Sequence, residues 1–218
     1  MKRLCIFASC FLWAAQLEGR ELFFATAEMP GAELIKARTS AIYESLGYEA
    51  KFKDFPAARS LIKSNSGEFD GEMARIIGTE KDYPNLIRIK PVFAVTEVFL
   101  YGLKNETFTG FPMLTGKKTG HLIGIQLTTK LLEKWPNVPI SDPANLFRLL
   151  SLGRIDYILV PEIIARNFVG ESKTKYSSVK KLSPPAHKML LYHYLHKKNA
   201  AIVNSVSEKI EEMGPLKL

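Results

Sequence analysis

Apolar and polar positions along this chain switch repeatedly between a period of two and a period near 3.6. Glu21 to Ala27 (ELFFATA) is a short apolar run that reads as a buried strand, broken by Met29-Pro30-Gly31. From Gly31 to Leu46, Leu34, Ala37, Arg38, Ala41, Ile42 and Ser45 recur at helical spacing, with Gly47 as the C-terminal cap. Tyr48 to Phe55 alternates: Tyr48, Ala50, Phe52 and Asp54 share one face, Lys51 and Lys53 the other, so a strand is expected. Pro56 opens a second helix, Ala57 to Ser64, because proline's fixed φ suits a first helical turn. Asn65-Ser66-Gly67 ends it. Phe69 to Ile77 (FDGEMARII) reads as a third strand, and Leu86 to Tyr101 as a long extended segment kinked at Pro91.

The second half repeats this grammar. His121 to Gln126 predicts a strand, Leu127 to Trp135 a helix, Asp142-Pro143 to Leu152 a helix capped by Gly153, and Ile155 to Val160 a strand stopped by Pro161. Glu162 to Val169 is expected to be helical and Lys181 to Leu191 extended. Asn199 to Met213 is expected to be an amphipathic helix with Ala201, Ile202, Val206, Ile210 and Met213 inward. Strands separated by helices of this length imply right-handed crossovers and a mainly parallel sheet. One crossing near Val95–Gly102 and a return near Leu182–Leu190 divide the chain. Residues 20–100 with 184–218 form one expected lobe, and residues 101–183 the other.

The N-terminus changes the picture. Lys2 and Arg3 precede the apolar run Leu4 to Ala15, which is shorter than the roughly 20 residues of a membrane-spanning helix. That pattern predicts a secretory signal over residues 1–19 and a periplasmic protein. Cys5 and Cys10, the chain's two cysteines, both fall within it, so neither a disulfide nor a cysteine-ligated metal is expected beyond it. Lys2, Arg3 and Glu18 together contribute +1 of the total +8, leaving +7. The cations are spread along the chain and the only tight pairs are Lys117-Lys118, Lys180-Lys181 and Lys197-Lys198. Nucleic-acid binding is therefore not expected.

Four blocks carry a resemblance. They are Gly67-x-Phe69-Asp70-Gly71 followed by Thr79-Glu80-Lys81, then Gly116-Lys117-Lys118-x-Gly120, then Leu149 to Asp156 (LLSLGRID), and finally Leu195-His196-Lys197-Lys198-Asn199. In this order they resemble the type 2 periplasmic solute-binding proteins, in particular the polar amino-acid-binding branch of the extracellular solute-binding family. The resemblance implies an α/β, two-lobed fold whose lobes are joined by two crossover strands and close on a solute. It implies a monomer that captures a small polar, anionic or amino-acid-like ligand and hands it to an inner-membrane permease. A sensor or interaction module without an importer is the alternative.

The resemblance also implies ligand contacts at Glu28, Glu72, Arg75, Thr96, Tyr101, Gln126, Thr128 and Glu162. The family's carboxylate-binding arginine is replaced here by Asp82, and its ammonium-binding aspartate by Pro161. Glu72 and Arg75, beside Asp70-Gly71, are candidates for a substitute clamp: Arg75 offers a fork to a carboxylate or phosphate, Glu72 an acceptor for an ammonium or hydroxyl; the alternative is that the two pair with each other or with the opposite lobe. Tyr157 is a further cleft candidate. Phe23, Phe24, Phe52, Phe55, Phe69 and Phe147 are expected in the core. His187, His193 and His196 do not make a zinc site without further ligands, and His193 and His196 are expected among surface residues leading into the last helix. No cofactor is expected. Glu72, Asp82, Glu97 and Glu162 supply carboxylates, but no nucleophile–base arrangement accompanies them, so a dehydratase-like activity on the same fold is the least favoured reading.

Overall fold

The computed structural model describes residues 20–28, 31–170 and 175–218. The expected signal segment, and Met29-Pro30 of the first loop, lie outside the described residues. β1 (Arg20–Ala27) is sandwiched in parallel between β2 (Tyr48–Phe55) and β3 (Gly71–Arg75). Period two points Leu22, Phe24 and Thr26 to one face, each at most 2% exposed. There they meet α1 (Ala32–Glu44), which buries Ile35, Ile42 and Tyr43. Phe23 points the other way and stays 44% exposed, which corrects its expected core position. α2 (Ala57–Asn65) follows Pro56, as its sequence requires, and α3 (Thr79–Asp82) is a single unanticipated turn.

The expected segment from Leu86 to Tyr101 is two strands, β4 (Leu86–Arg88) and β5 (Ala94–Gly102), interrupted around Pro91. β6 (Thr119–Leu122) leads into α4 (Gln126–Leu131), then β7 (Asn137–Ile140) and α5 (Pro143–Ser151). Asp142 caps α5 by accepting from the backbone N–H groups of Ala144 and Asn145. β8 (Tyr157–Pro161) runs into α6 (Glu162–Ala165), shorter than the helix expected there. β7, which follows Pro136 and contains Pro139, has no counterpart among the expected elements. It is an edge strand, paired to β6 alone, where a missing N–H is tolerated.

β9 (Lys180–His196) runs five residues past its expected end. Tyr192 to His196 are buried on both faces, so no polar alternation marked them as strand. Its first part pairs antiparallel with β5, and its last part with β3 and β4. The sheet order is β2-β1-β3-β9-β5-β8-β6-β7, so β5 and β9 carry the chain between two α/β lobes. A 3₁₀ turn over Lys197–Ile202 precedes α7 (Val203–Met213). Val206 and Ile210 are fully buried, whereas Ala201, within the tighter 3₁₀ turn, and Met213, the last residue of α7, are exposed, contrary to expectation. β10 (Leu216–Lys217) closes on β5 at Ala94 and Val95.

Candidate functional site

Gly31 stands at the N-terminus of α1 with φ 80, a left-handed value that glycine adopts freely. A Cβ at Gly31 would lie 2.5 Å from Cγ1 of Ile163, a residue of α6 just beyond β8. The lobes therefore touch where the C-terminal ends of β1 and β8 approach each other. Beside this contact is a shallow, mostly apolar pocket with a cavity volume of about 10 Å³, lined by Thr26, Ala27, Ala32, Ile35, Glu72, Met73 and Ala74. That is room for about one water molecule and far below a usual small-molecule site. A small molecule would enter only if the lobes parted.

Glu72 and Arg75 are brought together, but by an unexpected route. Residues three apart on a regular strand face opposite ways; a register shift in β3 between Glu72 and Arg75 turns Arg75 onto the face of Glu72. Nη2 of Arg75 lies 2.9 Å from Oε1 of Glu72 and also donates to the carbonyl of Ala57 and the hydroxyl of Ser60 on α2. The hydroxyl of Ser64 donates to Oε2 of Glu72 at 3.3 Å. Glu72 is 1% exposed, and burial pushes its carboxyl up to about 7 against the opposing pull of Arg75 and the serines. Both oxygens of Glu72 are thus satisfied within the first lobe. Nε of Arg75 is buried and has no partner among the described residues.

The remaining candidates are dispersed. Glu28 is exposed at the end of β1, its N–H bonded to the carbonyl of Phe55. Thr96, on crossover strand β5, is 1% exposed and its hydroxyl has no partner among the described residues. Tyr101 is 1% exposed and packs edge-on against Phe99 and Phe147; burial, with the nearby Glu162 carboxylate, raises its phenol well above the ordinary range. Gln126 is exposed at the start of α4, while Thr128 is buried and bonds the carbonyl of Ile125 at 3.0 Å. Glu162 holds Lys181 at 3.1 Å and Arg166 at 3.6 Å. Asp82 is exposed, and Pro161 ends β8 in register with Val98. Tyr157 starts β8 at the opposite end from the cleft and donates to Glu106 at 2.9 Å, so it is not a cleft residue.

Sequence reasoning missed His193. It is 1% exposed rather than superficial, bonded through Nε2 to the hydroxyl of Tyr43 (2.8 Å) and through Nδ1 to the carbonyl of Met73 (3.0 Å). With Nδ1 donating, Nε2 accepts from Tyr43, which specifies the neutral ring; burial lowers its pKa to about 4. The signal available was the aromatic-rich run Tyr192-His193-Tyr194, which continues β9 and is buried on both faces. Among the described residues no three His, Cys, Asp or Glu side chains converge as metal ligands. None of their helices is long and apolar enough to cross a membrane.

No family model matches the chain. An uncharacterised protein of Shewanella oneidensis is 28% identical over 195 residues, 84% of this chain and 70% of that protein. Among solved structures, an ancestral arginine-binding protein bound to arginine is similar at a TM-score of 0.68 and 19% identity, covering 90% of this chain and 93% of that one. A histidine kinase sensor domain with similarity to periplasmic binding proteins matches at 0.68 and 15% identity, covering 89% and 90%. An amino acid ABC transporter substrate-binding protein from Streptococcus pneumoniae, bound to L-arginine, matches at 0.66 and 17% identity, covering 88% of each. The chain has the two-lobed fold of the type 2 periplasmic binding proteins. Two of these neighbours are binding proteins and the third is a sensor domain, and the likeness at such identities is one of fold.

Proposed function

We propose that this protein is a periplasmic solute-binding protein, not an enzyme, that captures a small polar ligand between its lobes. The ligand is amino-acid-like or anionic and is delivered to an ABC importer. The observation that supports this reading is the apposition of the two lobes at the ends of β1 and β8, where Ile163 meets Gly31 beside a small pocket lined by first-lobe residues. The N-terminus of α1 borders this pocket through Ala32, and Glu72 lines its wall with its carboxyl oxygens held by Arg75 and Ser64. Lobe one comprises residues 20–100 and 184–218, lobe two residues 101–183, with a signal over 1–19 removed on export. The likeness to a histidine kinase sensor domain supports a second reading, a sensor that reports the same kind of ligand.

The test is titration calorimetry with a panel of free amino acids and small carboxylates, repeated on Gly31→Ala. A methyl at Gly31 meets Ile163 and strains a left-handed backbone, so closure is impeded and the affinity of any panel member that binds should fall about tenfold or more. Unchanged affinity in Gly31→Ala, or solution scattering that shows no compaction at saturation, would refute binding by lobe closure.

A further inference from the structure

We propose that the end of the second lobe opposite the cleft is a docking surface for an anionic lipid bilayer. The sequence divides its charge unevenly. Residues 101–183 contain twelve Lys and Arg against six Asp and Glu, a net +6, whereas residues 20–100 and 184–218 together carry +1. The fold then gathers those cations. β6, β7 and β8 are parallel, and their C-terminal ends face the cleft, where Ile163 meets Gly31. Their N-terminal ends lie together at the far pole. Lys117 and Lys118 immediately precede β6, Lys134 precedes β7 and Arg154 precedes β8. β5 is antiparallel to β8, so Lys104 just beyond its last residue arrives at the same pole. Lys180, the first residue of β9, pairs with Gly102 there.

All six side chains are exposed, and among the described residues none is in an ion pair; the pairs of this lobe both end on Glu162. Among the described residues the acids at the pole are Glu106, Asp156 and Glu133. The hydroxyl of Tyr157 occupies Glu106, the N–H of Lys118 occupies Asp156, and Glu133 stands exposed beside Lys134. Leu103 (38% exposed) and Leu152 (59%) stand among these cations.

The chemistry selects the partner. Five of the six cations are lysines, point charges on flexible stems, rather than the arginine forks that recognise one carboxylate or phosphate at a time. They come from five separate segments and surround no cleft. Exposed leucines beside them suit the boundary between headgroup and acyl chain. A diffuse cationic face with apolar residues is what a surface of anionic headgroups attracts. Docked by this pole, the protein leaves its cleft, at the opposite end of the same strands, open to solute.

The test is co-sedimentation of the purified protein with vesicles of phosphatidylglycerol and phosphatidylethanolamine, and with phosphatidylcholine vesicles, at low and high salt. Binding is expected only to the anionic vesicles and is expected to weaken with salt. Lys117→Glu/Lys118→Glu should weaken partitioning by at least about tenfold. Lys81→Glu/Lys90→Glu, an equal charge change on exposed residues of the other lobe, should leave it nearly unchanged. Leu103→Ser/Leu152→Ser should remove the binding that survives high salt. Equal loss in both charge-reversal variants would reduce the effect to net charge and overturn the proposal. So would the absence of vesicle binding, and capture on immobilised polyglutamate without vesicle binding would assign the pole to an acidic polypeptide instead.

Discussion

Arg75→Met is the most informative perturbation of the buried pair. It keeps the apolar stem but strips Glu72 of its counter-charge, and removes donors from the carbonyl of Ala57 and the hydroxyl of Ser60. Breaking a buried pair from one side costs about 3–5 kcal/mol when the remaining charge stays ionised. Glu72 has an escape. Burial has already lifted its carboxyl to about 7, and losing Arg75 lifts it further. Between the ordinary value of 4.5 and that raised value, the folded state holds a proton that the unfolded state has released. Stability therefore falls as pH rises through this window. Near pH 5 the loss should be about 2 kcal/mol, the lost hydrogen bonds at about 1 kcal/mol each. Near pH 8 it should approach the full cost of about 3–5 kcal/mol. Urea unfolding of wild type, Arg75→Met and Glu72→Gln/Arg75→Met at both pH values measures this, and the double variant should recover much of the loss near pH 8. If Arg75→Met loses the same amount at both values, or the double variant recovers nothing, Glu72 is not the buried charge argued here.

His193 gives an opposite pH dependence. Its ring is held neutral in the fold, so stability should be complete above about 6.5 and should decline by about 3 kcal/mol as pH falls toward about 4; His193→Gln, followed by chemical denaturation, should lose that decline. Asp70 accepts from the N–H of Phe23 at 2.8 Å and from Nδ2 of Asn199 at 2.9 Å. Burial pushes its carboxyl up, but Asn199, Phe23 and Lys198 outweigh this and hold it below the usual range. Asp70→Ala should cost about 2–3 kcal/mol in thermal or urea unfolding, and Lys198→Ala, removing an exposed pair, under about 1 kcal/mol.

The fold was legible because the four sequence blocks are its joints. Asp70, of the first block, accepts from Asn199 of the last, and the ring of His196 lies where a Cβ on Gly67 would point. In the other lobe Lys118 and Asp156 bind each other through backbone and side chain. Gly120 leaves the space that Leu146 and Ile155 fill. At these positions the chain passes itself closely, whatever it binds. The site was less legible for the same reason. None of those joints needs to touch a ligand, and the two residues proposed as a clamp come together only through a bulge that spacing does not announce. Turn chemistry was read well at Pro56 and Asp142, where one residue settles the local geometry. It failed at β7, where proline is compatible with an edge strand, and in the 3₁₀ turn before α7.

Ile163 bears on how such a protein uses binding energy. It lies two residues past Pro161, which stands where the resemblance expects an ammonium acceptor, and it meets the backbone of α1 rather than a polar group. Burying an isoleucine side chain contributes roughly 1.5–3 kcal/mol. Part of the energy of lobe closure is therefore available from protein–protein contact, without a charged ligand to bridge the lobes. The polar groups that remain near the pocket belong to the first lobe, and Glu72 is already satisfied there by Arg75 and Ser64. On the proposed function, a ligand would be held chiefly from the first lobe and covered apolarly by the second. That arrangement tolerates the loss of both halves of a zwitterion clamp. With a cavity of only about 10 Å³ beside the Ile163–Gly31 contact, any solute would enter as the lobes part.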